Sequence, residues 1–102
     1  SIEFLEGKNG EYGGNIVIFI TDKQNKELTG SNIVLTCSEE VVFDLPPSSQ
    51  HYDQTPSMQV FYKNCNAFTV RIIKDGYQTV ETKELSTKDN KTCIVRILLQ
   101  KK

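Results

Sequence analysis

Ala67-Phe68-Thr69-Val70-Arg71-Ile72-Ile73-Lys74, then Asp75-Gly76-Tyr77, then Thr79-Val80-Glu81-Thr82-Lys83-Glu84-Leu85, is the stretch that decides the fold. Phe68, Val70 and Ile72 alternate with Thr69 and Arg71, the period of a strand with one buried face. Asp75-Gly76 is the dipeptide that a two-residue type I′ turn demands, because both central residues take positive φ. Residues 67–74 and 77–85 therefore read as a hairpin. Tyr77, just past the turn, is placed to fold its ring over the end of the core while its hydroxyl stays wet or finds a backbone partner.

Outward from this hairpin the same texture repeats. IVIFIT (16–21), IVLTC (33–37), VVFD (41–44), MQVFYK (58–63) and TCIVRILLQ (92–100) join residues 67–74 and 79–85 to make seven strand-like runs. Clusters of Gly, Asn, Asp, Ser and Pro separate them. No window repeats apolar residues at helical spacing without interruption. Short strands without intervening helices predict an antiparallel sandwich or barrel. The chain of 102 residues is sized for one domain, expected over 16–102, and Gly7, Gly10, Gly13 and Gly14 make residues 1–15 read as a linker or leading arm. Starting at Ser1 without an initiator Met, the chain reads as a processed product or a piece of a longer protein.

Composition removes several partners. Twelve basic and thirteen acidic residues are interspersed and give a net charge of −1, with no basic tract to neutralise a row of phosphates, so nucleic acid is not an expected partner. No apolar run approaches the roughly 20 residues of a membrane-spanning helix, and no membrane insertion of this segment is expected.

Four motifs follow a recognisable order: Ile16-Val17-Ile18-Phe19-Ile20-Thr21-Asp22, Leu28-Thr29-Gly30-Ser31-Asn32-Ile33-Val34-Leu35, Phe68 through Gly76-Tyr77, and Val95-Arg96-Ile97-Leu98-Leu99. The chain resembles the transthyretin-like, carboxypeptidase-regulatory-like (prealbumin-like) domains of bacterial envelope and secreted proteins. That resemblance covers about residues 16–99 and implies a seven-stranded antiparallel Greek-key sandwich in a structural or adhesive role. Ser31 stands where the family pattern has Ala, and the family's middle Asp-x-x-Gly turn is replaced by residues 45–57. An enzymatic branch of the fold needs several histidines and a C-terminal Tyr-Arg-Gly-Ser. This chain has one His and ends Leu99-Gln100-Lys101-Lys102. A relative with a Lys-to-Asn isopeptide bond needs an inward Lys on the first strand, which 16–21 lacks. In the implied sandwich, 16–21 and 92–100 share a sheet while 67–74 pairs with 79–85. Alternation then turns Val95, Ile97 and Leu99 inward with Ile33, Leu35, Val70 and Ile72, and leaves Arg96 and Lys83 in solvent.

The long connection 45–57 holds His51, Tyr52 and Asp53, the residues of a candidate binding loop, against the plainer reading of a Pro-stiffened polar crossover. Ser48 or Ser49 with His51 and Asp53 has the names of a catalytic triad. These residues nevertheless crowd into one short stretch, whereas a triad converges from separate elements beside an oxyanion hole. His51 with Asp53 supplies only part of a metal shell. Cys65 beside His51 has no helix N-terminus to lower its pKa. Neither enzymatic activity nor a cofactor is expected.

Strand polarity puts Cys65 and Cys93, each at a strand start, at one end of the sandwich. Their pairing would close a long loop and contribute about 3 kcal/mol. Cys37 continues the inward series Ile33, Leu35 and reads as a small buried hydrophobe. Three free thiols in a cytosolic protein remain the alternative, since an odd count is not a disulfide framework. Asn90-Lys91-Thr92 fits a glycosylation sequon, relevant in a eukaryotic host. Two function classes remain. One is a non-catalytic module of an exported, periplasmic or cell-surface protein, a spacer or a domain that contacts another protein or an attached domain. The other is a carbohydrate- or small-ligand-binding module using loop 45–57 and Tyr12, Tyr52 or Tyr62 as stacking surfaces.

Overall fold

The computed structural model describes residues 2–6, 15–48, 53–62, 65–87 and 91–102. Its eight strands are β1 (Ile2–Glu6), β2 (Ile16–Thr21), β3 (Asn32–Cys37), β4 (Glu40–Leu45), β5 (Met58–Phe61), β6 (Phe68–Ile73), β7 (Val80–Glu81) and β8 (Lys91–Leu98). Among the described residues there is no helix. The strands form two four-stranded sheets, ordered β1-β8-β2-β5 and β4-β3-β6-β7. Each of the seven expected runs contains a strand. The eighth, β1, lies in the leading residues that the glycines make read as an arm. It pairs antiparallel along β8, from Ile2 opposite Val95 to Glu6 opposite Lys91.

One seam departs from the expected antiparallel pattern: β2 and β8 run parallel, Ile16 beside Cys93 and Thr21 beside Leu98. The cause is the reversal of the chain at every connection. Strands an even number of reversals apart point the same way, so when β8 returns beside β2 it cannot oppose it. Long crossovers through the second sheet supply the connection that a parallel pair needs. The first and last of the seven predicted strands do share a sheet, and β6 pairs with β7 in the other.

Strict alternation builds the core between the sheets. Ile16, Ile18, Ile20, Cys93, Val95 and Ile97 from one sheet meet Ile33, Leu35, Phe68, Val70 and Ile72 from the other, with Leu28 and Leu99 closing one end. Val95 is buried and Arg96 exposed, as the period requires, and Lys83 is exposed too. The two outer faces differ in chemistry. On β4-β3-β6-β7, Val34 lies between Asp44 and Arg71, and Arg71 faces Glu81. On the other sheet, Val17 lies between Val60 and Ile94, and Phe19 between Met58 and Arg96.

The hairpin turns also need correction. At Asp75-Gly76 only Gly76 has positive φ, 83°, and the Tyr77 N–H donates to the Lys74 carbonyl at 3.0 Å, so this is not a type I′ turn. Pairing resumes only at Ile72 opposite Val80. In between, the chain crosses to the other sheet. Tyr77 bridges to Lys101, and the Gln78 N–H donates to the Gln100 carbonyl at 2.8 Å. Tyr77 is half-buried and packs on the core, the position expected of it. The two consecutive left-handed residues of a type I′ turn are Ser38 (φ 51°) and Glu39 (φ 69°), between the paired Cys37 and Glu40.

Candidate functional site

The foot of the long connection is stitched down by polar contacts. Thr55, 1% exposed, donates its N–H to the Pro47 carbonyl at 2.5 Å and its hydroxyl to the Pro46 carbonyl. The Thr55 carbonyl accepts from the Gly30 N–H at 2.8 Å, and the Thr29 hydroxyl donates to Gln54 Oε1 at 2.6 Å. Lys74 reaches back from the end of β6 to the Thr29 carbonyl, and Asn32 Nδ2 donates to Asp44 Oδ1 at 2.8 Å and to the Leu45 carbonyl at 2.7 Å. These bonds frame an open cleft of about 340 Å³ lined by Asn32, Ser48, Asp53, Gln54, Lys74 and Asp75. Asp53 is exposed on its rim. His51 and Tyr52, the other members of the sequence-predicted binding loop, lie outside the described residues, as do Ser49, Asn90 and Tyr12. The arrangement offers hydrogen-bond donors and acceptors, two carboxylates and one ammonium. Among the described residues, no cluster of three His, Cys, Asp or Glu side chains is placed to hold a metal.

A second cleft, of about 430 Å³, opens where Tyr77 crosses between the sheets. Leu28 and Leu99 form its floor, and Lys23, Lys26 and Lys101 stand around it. Asp22, also in its wall, spends one oxygen on a turn, accepting from the Gln24 N–H at 2.8 Å and the Lys26 N–H at 2.9 Å.

The cysteines are paired differently from the sequence expectation. Cys37 and Cys65 form a disulfide with Cα atoms 6.1 Å apart, inside the usual range, and Cys93 is the free, buried thiol. All three lie at one end of the sandwich, because the end of β3 meets the starts of β6 and β8. The sheet decides the partner. β3 and β6 are direct neighbours, with Cys37 opposite Phe68. Cys93 sits on β8 in the other sheet, beside Ile16. Thr87 fastens the same corner: its N–H donates to the Cys65 carbonyl at 2.9 Å, and its hydroxyl oxygen accepts from the Cys65 N–H at 3.0 Å. Burial pushes the Cys93 thiol above its ordinary pKa, so it stays protonated and a poor nucleophile.

Sequence reasoning overlooked an apolar strip along the neighbouring edges of the two sheets. On β4, Val41 is 61% and Phe43 38% exposed; on and just past β5, Met58 is 49% and Tyr62 75% exposed. The Phe43 and Phe61 rings meet with centroids 4.8 Å apart, which brings the two edges together. The signal was present as the uncharged run Met58-Gln59-Val60-Phe61-Tyr62. Beside it on the outer face, the Arg96 guanidinium lies 4.8 Å from the centre of the Phe19 ring, a cation–π contact that holds a charge over apolar ground. No protein-family profile matches the chain, and a search of curated proteins finds no match.

Proposed function

We propose that this chain is a non-catalytic β-sandwich module of an exported or cell-envelope protein, serving as a spacer and a protein-interaction domain. The observation that carries the proposal is the Cys37–Cys65 disulfide, a cross-link that forms and persists in oxidising compartments and is rare where glutathione keeps thiols reduced. The interaction half draws support from Val41, Phe43, Met58 and Tyr62, apolar side chains left in solvent on or beside the edge strands β4 and β5. A transthyretin-like Greek-key arrangement is part of the same reading. It is supported by β2 and β8 lying side by side in one sheet while β6 pairs with β7 in the other. On this reading β1 is an addition along the edge of β8. Among the described residues, the sugar-stacking alternative has the exposed ring of Tyr62 in its favour.

The test is a thiol count. Protein prepared through an oxidising compartment, denatured without reductant and alkylated, should carry one label, on Cys93. Three labels would overturn the exported-module reading.

A further inference from the structure

We propose that β5 is a self-association edge: two copies of this domain pair their β5 strands antiparallel about Val60, joining their β1-β8-β2-β5 sheets into one. The inference rests on the interaction-module reading and names the partner as a second copy of this chain.

The four sheet edges are not equally open. A bare edge strand invites pairing, and charge, bulges or short length discourage it. β1 carries Glu3 and Glu6. β4 carries Glu40 and Asp44, and its pairing with β3 shifts register between Leu35 and Thr36. β7 is two residues long and includes Glu81. Residues 58–62 have no charge and no proline.

Backbone parity favours the same strand. The Ile20 N–H donates to the Ser57 carbonyl at 2.9 Å, which turns the backbone groups of Ser57, Gln59 and Phe61 toward β2. Those of Met58, Val60 and Tyr62 consequently face the open edge. The Val60 carbonyl is partly covered there by its neighbour, the Gln59 side-chain amide donating to it at 3.3 Å. A two-fold axis at Val60 sets the two Val60 residues opposite each other as a hydrogen-bonded pair. Met58 then faces Tyr62 of the second copy, and Gln59 faces Phe61. No charge opposes a charge, and thioether meets aromatic ring at the exposed positions. The equivalent self-pairing of β4 about Val42 would set Glu40 against Asp44, a like-charge pair. The occupant that β5 fits is therefore its own copy. The outer row Val17–Val60 would also continue across the axis without a break. Pairing so short a strand buries less than the roughly 1,200 Å² of a standard stable interface, so the dimer is a concentration-dependent one.

Sedimentation equilibrium of the oxidised protein, from micromolar to about 1 mM, decides the matter. The average mass should climb from 11.6 kDa toward twice that value. Val60→Pro removes an N–H that faces the open edge and leaves the bonds to β2 intact. It should abolish the climb while the protein keeps its sheet circular dichroism. Val60→Lys sets two ammonium groups together at the axis and should weaken the dimer at least about tenfold, less so at high salt. It decides the question if the proline variant does not fold. Lys83→Glu, exposed just past β7 at the far edge of the other sheet, should change nothing. A wild type monomeric throughout, a dimer indifferent to both Val60 substitutions, or one lost only in Lys83→Glu overturns the proposal. A monomer with a single free thiol would overturn self-pairing alone. Three free thiols would overturn export, whatever the mass.

Discussion

Removing the cross-link by Cys37→Ala with Cys65→Ala should destabilise the domain by about 3.6 kcal/mol. The bridge spans a sequence separation of 28, and the loop-entropy expression converts a loop of about that length to about 12 cal/mol/K, lost from the unfolded chain. For a domain of this size each kcal/mol moves the midpoint by about 4–8 °C, so the thermal transition should fall by about 15–30 °C. The effect acts mainly on the unfolded state, which expands when the constraint is removed. Urea denaturation should therefore show a steeper slope as well as a lower midpoint. Cys93→Ala is the informative control. It trims a fully buried side chain in the other sheet, should cost about 1–2 kcal/mol and should leave the slope unchanged. Should Cys93→Ala steepen the slope as the double variant does, Cys93 is in the bridge, the pairing is wrong and the reasoning from sheet adjacency fails.

Ser38→Asn with Glu39→Gly should stabilise the domain by about 0.5–1.5 kcal/mol, because two left-handed residues exchange their Cβ strain for types that tolerate it; a lower melting temperature would contradict this. Ser31→Ala should raise stability by about 1 kcal/mol in urea titrations, since the Ser31 hydroxyl is buried with no hydrogen-bond partner among the described residues; a loss of stability would reveal a bond. Gly76→Val should cost about 1–2 kcal/mol through backbone strain alone, as nothing lies within 4 Å of the added Cβ, and an unchanged midpoint would mean that Gly76 is not left-handed.

Periodicity made most of this fold legible. Ile16, Ile18 and Ile20, or Val95, Ile97 and Leu99, announce an inward face by alternation alone, and each of these side chains is buried. Turn chemistry was less transparent. Asp75-Gly76 has the composition of a type I′ turn, yet the pair does not adopt one, because the Gln78 N–H and the Gly76 carbonyl find hydrogen bonds just past β8, at Gln100 and Lys102. Ser38 and Glu39 adopt positive φ without the composition, because pairing on both sides, Cys37 opposite Glu40 and the Ser38 N–H to the Ala67 carbonyl at 2.8 Å, leaves the chain no wider path. The cysteines were legible as to the end of the sandwich but not as to the sheet. Polarity follows from counting reversals, whereas neighbours follow from strand order, which no local pattern encodes. Of His51, Tyr52 and Asp53, only Asp53 falls among the described residues, and it lies exposed at the rim of a polar cleft.

The distribution of restraints separates the molecule into two ends. At the end where β3 finishes and β6 and β8 begin, the Cys37–Cys65 bridge, the left-handed Ser38-Glu39 turn and the buried Thr87 combine covalent, backbone and side-chain restraint. At the opposite end, where β2 and β6 finish, the described connections are held by hydrogen bonds without a covalent link, from the buried Thr55 to Pro46 and Pro47 and from the exposed or half-exposed Thr29 and Lys74. The cleft at Tyr77 and the cleft at Asp53 open there. Loops so held open at much lower free energy than a cross-linked corner, and recognition sites are drawn from such regions. Reduction of the disulfide would therefore loosen the far corner, and variation in the exposed Pro46, Pro47, Ser48, Asp53 and Gln54 would reshape the other end without reaching the core. For a module repeated or appended in a longer chain, that division lets one scaffold carry different loops, while β5, on the flank between the two ends, stays free for contact along the sheet.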